Sequence, residues 1–307
     1  MDKPASAKLS AILIAKNEEQ DLPGALESLS GLAGEVVVVV DSASGDRTEE
    51  LALRSGARTL RRPFDHYAGQ KQAALERATG EWVLSLDADE RVTPELRGEI
   101  LRELPRADGV SGFEIPFQVH FMGRRLRFGG LGAERHLRLF LRSRGRFAGG
   151  LLHEGVKVEG PVRRLRGAIR HEPYRDLSEY LDKLDAYTTL AARKRFAEGL
   201  RAGPWRHLLL PWEFFARAVL RLGLLDGGPG LVWAGLSAFH SWLKYAKLAE
   251  MERQASALSP SASASERPEA DREVRSASRV RGRGLRSRGD IEENHLSPTP
   301  PQRAGDK

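Results

Sequence analysis

Trp82-Val83-Leu84-Ser85-Leu86-Asp87-Ala88-Asp89 is an apolar run of strand length that ends in two carboxylates one residue apart. Strand-end carboxylates at that spacing can aim at one point in a cleft. Such a pair suits a hard divalent cation, Mg²⁺ or Mn²⁺, that also holds the diphosphate of a nucleotide. Asp-X-Asp is common by chance. Its weight here comes from two strand-and-turn signals that precede it in the right order.

The first of these is residues 9–15, a buried strand that ends at Lys16-Asn17-Glu18-Glu19. Leu22, Leu26 and Leu29 then mark one stripe of a helix, with Gly31 as its stop. The second is the continuous β-branched run 36–40, a pattern of central parallel strands. It ends at Asp41-Ser42-Ala43-Ser44-Gly45-Asp46 and leads into a helix over 47–54, for which Asp46 is the expected N-cap. A short strand at 57–61 and a helix over 68–78 complete the approach to the acidic pair. Thr93-Pro94 opens the next helix, with Pro at its first position.

Strands alternating with helices at this spacing predict an α/β, Rossmann-like fold, a mostly parallel sheet flanked by helices. In such sheets ligands bind beyond the carboxyl ends of the strands. Asn17, Glu18, Asp41, Asp46, Asp87 and Asp89 all fall on that edge.

After residue 105 strand-like pieces appear at 110–120, 136–141 and 162–169, with Gly-rich turns at 129–130 and 149–150. From Leu177 the chain turns helical. The expected organisation is a catalytic domain over 8–175, a helical region over 176–252 and a disordered tail over 253–307. The segments 204–225 and 230–251 mix Trp, Phe and Tyr with Arg and Lys. Neither reaches the roughly 20 apolar residues that a spanning helix needs. They fit an in-plane pair of helices at a membrane surface, where Arg193, Arg195, Arg201, Arg206, Arg217 and Arg221 could meet anionic headgroups. A helical subdomain packed on the catalytic core is the other reading.

Composition narrows the classes. With 307 residues and 40% hydrophobic content the chain can bury a large core, and without cysteine it has no disulfide, thiolate nucleophile or thiolate metal site. The N-terminal residues lack the apolar stretch of a signal peptide. The net charge of +7 allows nucleic acid, an anionic membrane or an anionic substrate. No aromatic-rich RNA-binding motif appears, so no nucleic-acid partner is expected. A nucleotidyltransferase would carry a Gly-rich phosphate loop after the first strand, where this chain has Ala15-Lys16-Asn17-Glu18.

Residues 14–19, 39–48 and 87–90 together resemble glycosyltransferase family 2, with the GT-A fold. Arg138-Leu139-Phe140, Leu152-His153-Glu154 and Leu224-Leu225-Asp226-Gly227 resemble a narrower branch, the lipopolysaccharide-core glucosyltransferase type. The resemblance implies a metal-dependent inverting transfer of a hexose from a nucleotide sugar to a saccharide or lipid-linked acceptor, at the inner face of the cytoplasmic membrane. A polyprenyl-phosphate or protein acceptor is the alternative, and a sugar-nucleotide-binding module without catalysis is the rival outside enzymes. The resemblance puts the nucleoside at Ala15, Asn17, Glu18 and Asp41. It gives Asp89 the direct cation contact, with Asp87 on the ribose, beside the metal or positioning the site. It turns Lys71 toward the phosphates, although Gln72 stands where the family usually has Asn. Glu154 is the candidate base, with His153 orienting it or touching the diphosphate or the cation. Glu134 competes for that role, and Arg138 is a candidate phosphate contact or a surface strand arginine.

Overall fold

The computed structural model describes residues 8–132, 134–149 and 154–258. In chain order these form β1 (Leu9–Ala15), α1 (Leu22–Leu29), β2 (Glu35–Asp41), α2 (Thr48–Arg54), β3 (Arg58–Arg62), α3 (Tyr67–Arg77) and β4 (Trp82–Asp87). A short β5 (Glu90–Val92) and α4 (Pro94–Glu103) follow, then β6 (Gly112–Phe121), β7 (Arg124–Arg125) and β8 (Arg135–Leu141). Beyond them come β9 (Gly145–Gly149), β10 (Glu154–Val158), β11 (Val162–Arg164) and β12 (Ile169–His171). The described residues end in α5 (Leu177–Ala197), α6 (Arg206–Phe215) and α7 (Gly227–Leu258), so 253–258, expected in the tail, belong to a helix, and the rest of that expected tail lies outside the described residues.

The main sheet runs β3-β2-β1-β4-β8-β6-β12-β5. It is parallel from β3 to β4, as the alternating pattern predicts. Beyond β4 it is mixed, because β8 runs antiparallel to both β4 and β6. The all-valine stretch of β2 is explained by burial on both faces. Val38 and Val40 join the core shared with α1 and α4, while Val37 and Val39 pack with Ala74 and Leu75 of α3. Thr93 caps α4 as expected, its hydroxyl accepting from the Leu96 amide at 3.3 Å.

Strand ends line up across the sheet. Ile14 is in register with both Val39 and Asp87, which sets Ala15, Asp41 and Asp87 side by side on the carboxyl rim.

Of the helices after β12, α5 and α7 are docked on the sheet. Phe121 of β6 packs edge-on to Tyr180 of α5 and Trp233 of α7, with Val119, Leu126 and Leu131 closing the cluster. At the start of α5, Asp176 accepts from the Glu179 amide, and Glu179 reaches back to accept from the Arg175 amide at 2.9 Å, a reciprocal cap. Burial alone would raise the Glu179 carboxyl. Hydrogen bonds from the Arg175 side chain and amide, with the charge of Lys183, outweigh it and hold the group down to about 2. A carboxylate depressed on folding contributes stability above its ordinary pKa of 4.5 and loses it as pH falls toward 2. Glu179→Gln is therefore expected to cost about 1–2 kcal/mol at pH 7 and close to nothing near pH 2. Denaturant melts of both proteins at stepped pH check this. A deficit independent of pH would mean that the charge does not contribute.

Candidate functional site

The rim is built by two loops that fasten each other. After β1, Asn17 turns through a left-handed conformation, φ 54°, which asparagine tolerates better than most residues. Its side-chain oxygen accepts from the Gly45 amide, and its own amide donates to the Ser44 hydroxyl, each at 2.9 Å. The Glu18 amide donates to the Thr48 hydroxyl at 2.7 Å. Asp46 accepts from the amides of Glu19 and Thr48 and from the Thr48 hydroxyl. It stands one residue before Arg47, the N-cap of α2, rather than at the N-cap as expected, and from there it bonds the first residue of the helix and ties the two loops together. Burial raises its carboxyl, and these bonds outweigh burial and hold it below the usual range.

Asp41, the last residue of β2, is buried. One oxygen accepts from the Ala43 amide at 3.0 Å, and the other is 3.4 Å from Lys16 Nζ. Ala15 is buried beside it at the end of β1.

The acidic pair is held in a tight return. Asp87 ends β4, Ala88 and Asp89 turn, and Glu90 begins β5, which pairs antiparallel with β12. Glu90 is 1% exposed and accepts from the Asp87 amide at 2.9 Å, which closes the turn. Both oxygens of Asp87 face cations: Lys71 Nζ lies 2.9 Å from Oδ1 and Arg138 Nη2 lies 3.0 Å from Oδ2. Arg138 also donates to Glu90 Oε1 at 2.8 Å.

Two candidate phosphate contacts are engaged by these carboxylates. Lys71, expected to reach the phosphates, is 3% exposed and held on Asp87, because α3 packs its buried face on the sheet behind the pair. Arg138, expected as a phosphate contact or a surface residue, is drawn inward because the β4–β8 register sets it beside the acids. Asp87, expected on the ribose, beside the metal or as a residue that positions the site, is in this arrangement the anchor of a buried ion network.

Asp89 differs from its neighbour. Its side chain is 25% exposed, and Oδ2 is 3.4 Å from His171 Nε2. Burial raises the Asp89 carboxyl, but the His171 charge and hydrogen bond outweigh it, so Asp89 is held below the carboxylate range. Burial in turn lowers the His171 imidazole, and the Asp89 charge outweighs that and raises it.

Phe117 of β6 gathers the other groups. Arg138 stacks over its ring at 5.3 Å, and the imidazoles of His136 and His171 meet it edge-on at 4.8 and 5.9 Å. His136 Nε2 is 3.1 Å from Glu134 Oε1, which brings Glu134 into the neighbourhood of the acidic pair. Glu154 is the first residue of β10, and His153 lies outside the described residues.

Phe117, Glu90, His136 and His171 were missed in sequence. Glu90 stands directly after the pair and could have been found. His136 and His171 come close only through strand pairing.

Among the described residues no three His, Asp or Glu side chains gather into a metal cage. A hard cation held mainly by phosphate and water needs only one or two carboxylates, so the ionised, partly exposed Asp89 beside Asp87 fits Mg²⁺ or Mn²⁺.

The profile described as Glycosyl transferase family 2 matches residues 10–150. The lipopolysaccharide core biosynthesis glycosyltransferase LpsC of Rhizobium meliloti (strain 1021) is 34% identical over 249 residues, which span 78% of this chain and 91% of that protein. An uncharacterized glycosyltransferase of Rickettsia typhi is 26% identical over 256 residues, 80% of this chain and 87% of the relative. Among solved structures, a glucosyl-3-phosphoglycerate synthase from Mycobacterium tuberculosis in complex with Mn²⁺, uridine diphosphate and phosphoglyceric acid aligns over 57% of this chain and 74% of that one, with 21% identity and a TM-score of 0.40. That likeness is too distant to place a residue of the site.

Proposed function

The chain belongs to glycosyl transferase family 2, and we propose that it moves a hexose, with inversion, from a nucleotide-sugar donor to a saccharide of a lipopolysaccharide core or another lipid-linked acceptor. The observation that carries this reading is the acidic turn Asp87-Ala88-Asp89 on the same rim as Asp41 and the Asn17–Glu18 loop. Ala15, Asn17, Glu18 and Asp41 would line the nucleoside pocket. Asp89, with Asp87 behind it, would hold a divalent cation. That cation would stabilise the negative charge that develops on the leaving nucleoside diphosphate. The name of the Rhizobium relative supports the lipopolysaccharide core as the acceptor class.

The acceptor hydroxyl must give up its proton as its oxygen attacks the anomeric carbon, so a carboxylate has to lie within hydrogen-bond reach. Glu154 beside His153 is our candidate, and Glu134 beside His136 is its rival. Glu154→Gln is expected to lower transfer by about 10²–10⁴-fold while leaving donor binding intact. The same loss from Glu134→Gln, with Glu154→Gln active, would reassign the base.

The exposed apolar and basic residues of the C-terminal helices support a peripheral place on the inner face of the cytoplasmic membrane. No helix among the described residues is long and apolar enough to cross a membrane. Release of nucleoside diphosphate from a panel of nucleotide sugars, with Mg²⁺ or Mn²⁺ and with chelator, tests the reading. Metal-dependent release from one donor supports it. Neither turnover nor binding of any donor overturns it.

A further inference from the structure

Large apolar side chains are left exposed along α6 and the turns that flank it. Trp205, Leu208, Trp212, Leu220, Leu224 and Leu225 are each 50–69% exposed, and α6 buries none of its residues. Soluble surfaces seldom leave so many large apolar groups together. A second segment joins them. The turn between β6 and β7 presents Met122, 52% exposed, flanked by the exposed Arg124, Arg125 and Arg127.

The two segments are clamped together. Asp226 is buried and accepts from the amides of Arg127 and Phe128 at 2.9 Å, the Gly129 amide donates to the Arg221 carbonyl at 2.8 Å, and Arg217 donates to the Gly129 carbonyl at 3.2 Å. Arg217 is thereby withdrawn from the surface, contrary to its expected headgroup role. A side chain at Gly227 would lie 3.1 Å from the Arg124 guanidinium, so the basic turn borders the apolar face.

Backbone strain falls on the same face. Among the described residues three that are not glycine have positive φ, and two of them are Met122 at 51° and Leu222 at 58°. Bulky apolar residues rarely adopt that conformation, and here both are held half exposed.

We propose that these two segments form one docking face for an anionic lipid surface. The apolar side chains of 205–225 enter the headgroup layer, and Arg124, Arg125 and Arg127 meet headgroup phosphates. Charge argues for lipid over a second copy of the chain, since two copies joined here would oppose their basic rims. The acidic residues of 200–231 are Glu213 and Asp226, and they are engaged by Arg217 and by the clamp. The basic turn leads on along the chain to Glu134, so docking would hold a lipid-linked acceptor beside the rim. This inference rests on the membrane placement proposed above.

Co-sedimentation with phosphatidylcholine vesicles, with and without phosphatidylglycerol, tests it on the full chain. The variants are Leu224→Asp/Leu225→Asp and Arg124→Glu/Arg125→Glu, with thermal melts and light scattering as controls. The wild type is expected to bind both compositions, the anionic vesicles more tightly. The leucine pair should lose binding to both compositions. The arginine pair, which reverses two charges, should lose at least about 30-fold on anionic vesicles and most of the salt dependence. Wild-type binding unmoved by either pair overturns the docking face and leaves the membrane placement standing. No wild-type binding overturns both. A dimer that the leucine pair dissolves, with vesicle binding unchanged, assigns the face to a second copy and overturns the lipid.

Discussion

Asp89→Asn is expected to lower glycosyl transfer by about 10²–10³-fold or more, with little change in thermal stability. The side chain is partly exposed, and its contact within the protein is the His171 ring at 3.4 Å, which an asparagine of the same shape can still meet. What the substitution removes is the negative charge, and a carboxylate is what a hard divalent cation selects. Asp87→Asn is the informative contrast. Its two oxygens face Lys71 and Arg138, so the neutral amide leaves two buried cations short of a partner. That variant should lose stability as well as activity. Initial rates across a Mn²⁺ titration, with melting curves on the same samples, separate the two effects. Asp89→Asn that kept its rate within a few-fold would sink the assignment of Asp89 as the cation contact.

The contrast between the two aspartates also marks where the sequence stops being readable. β1, β2 and β4 are legible because strands buried on both faces read as unbroken apolar runs, and the turns after them are polar. The rim follows from strand direction alone. β5 is three residues long, too short for any periodicity, and the single strand-like piece expected at 162–169 is split between β11, Val162–Arg164, and the start of β12, Ile169–His171. They form because β6 and its neighbours offer open edges, a fact of tertiary pairing and not of local pattern. The ion network is hidden for the same reason. Arg138 lies 51 residues from Asp87, and the β4–β8 register brings the two together. Sequence could place acids at a strand end. It could not show which acid is neutralised by the fold and which is left for a ligand.

Removing the cation at the centre of that network should give the largest loss of stability. Arg138→Met is expected to destabilise the protein by about 3–5 kcal/mol, a drop of roughly 6–20 °C in melting temperature. Arg138 bonds Asp87 and Glu90 at once, and methionine offers neither carboxylate a donor while filling much of the space over Phe117. pH separates charge from packing. Burial pushes the Glu90 carboxyl up to about 7, against the pull of Arg138. A carboxyl raised on folding contributes stability below its ordinary pKa of 4.5 and loses it as pH rises through 7. Without Arg138 the ionised form of Glu90 is less tolerable still. The deficit of Arg138→Met should therefore be deeper at pH 8 than at pH 5, measured in metal-free buffer. Glu90→Gln placed on the same chain should recover part of it, the coupling expected of groups in one network. Arg138→Lys keeps the charge but lacks the fork that reaches two carboxylates, so it should fall between the wild type and methionine. A deficit equal at both pH values, with no recovery from Glu90→Gln, would make Arg138 a packing residue. The pair Asp87 and Asp89 would then owe its geometry to the β4–β5 turn alone.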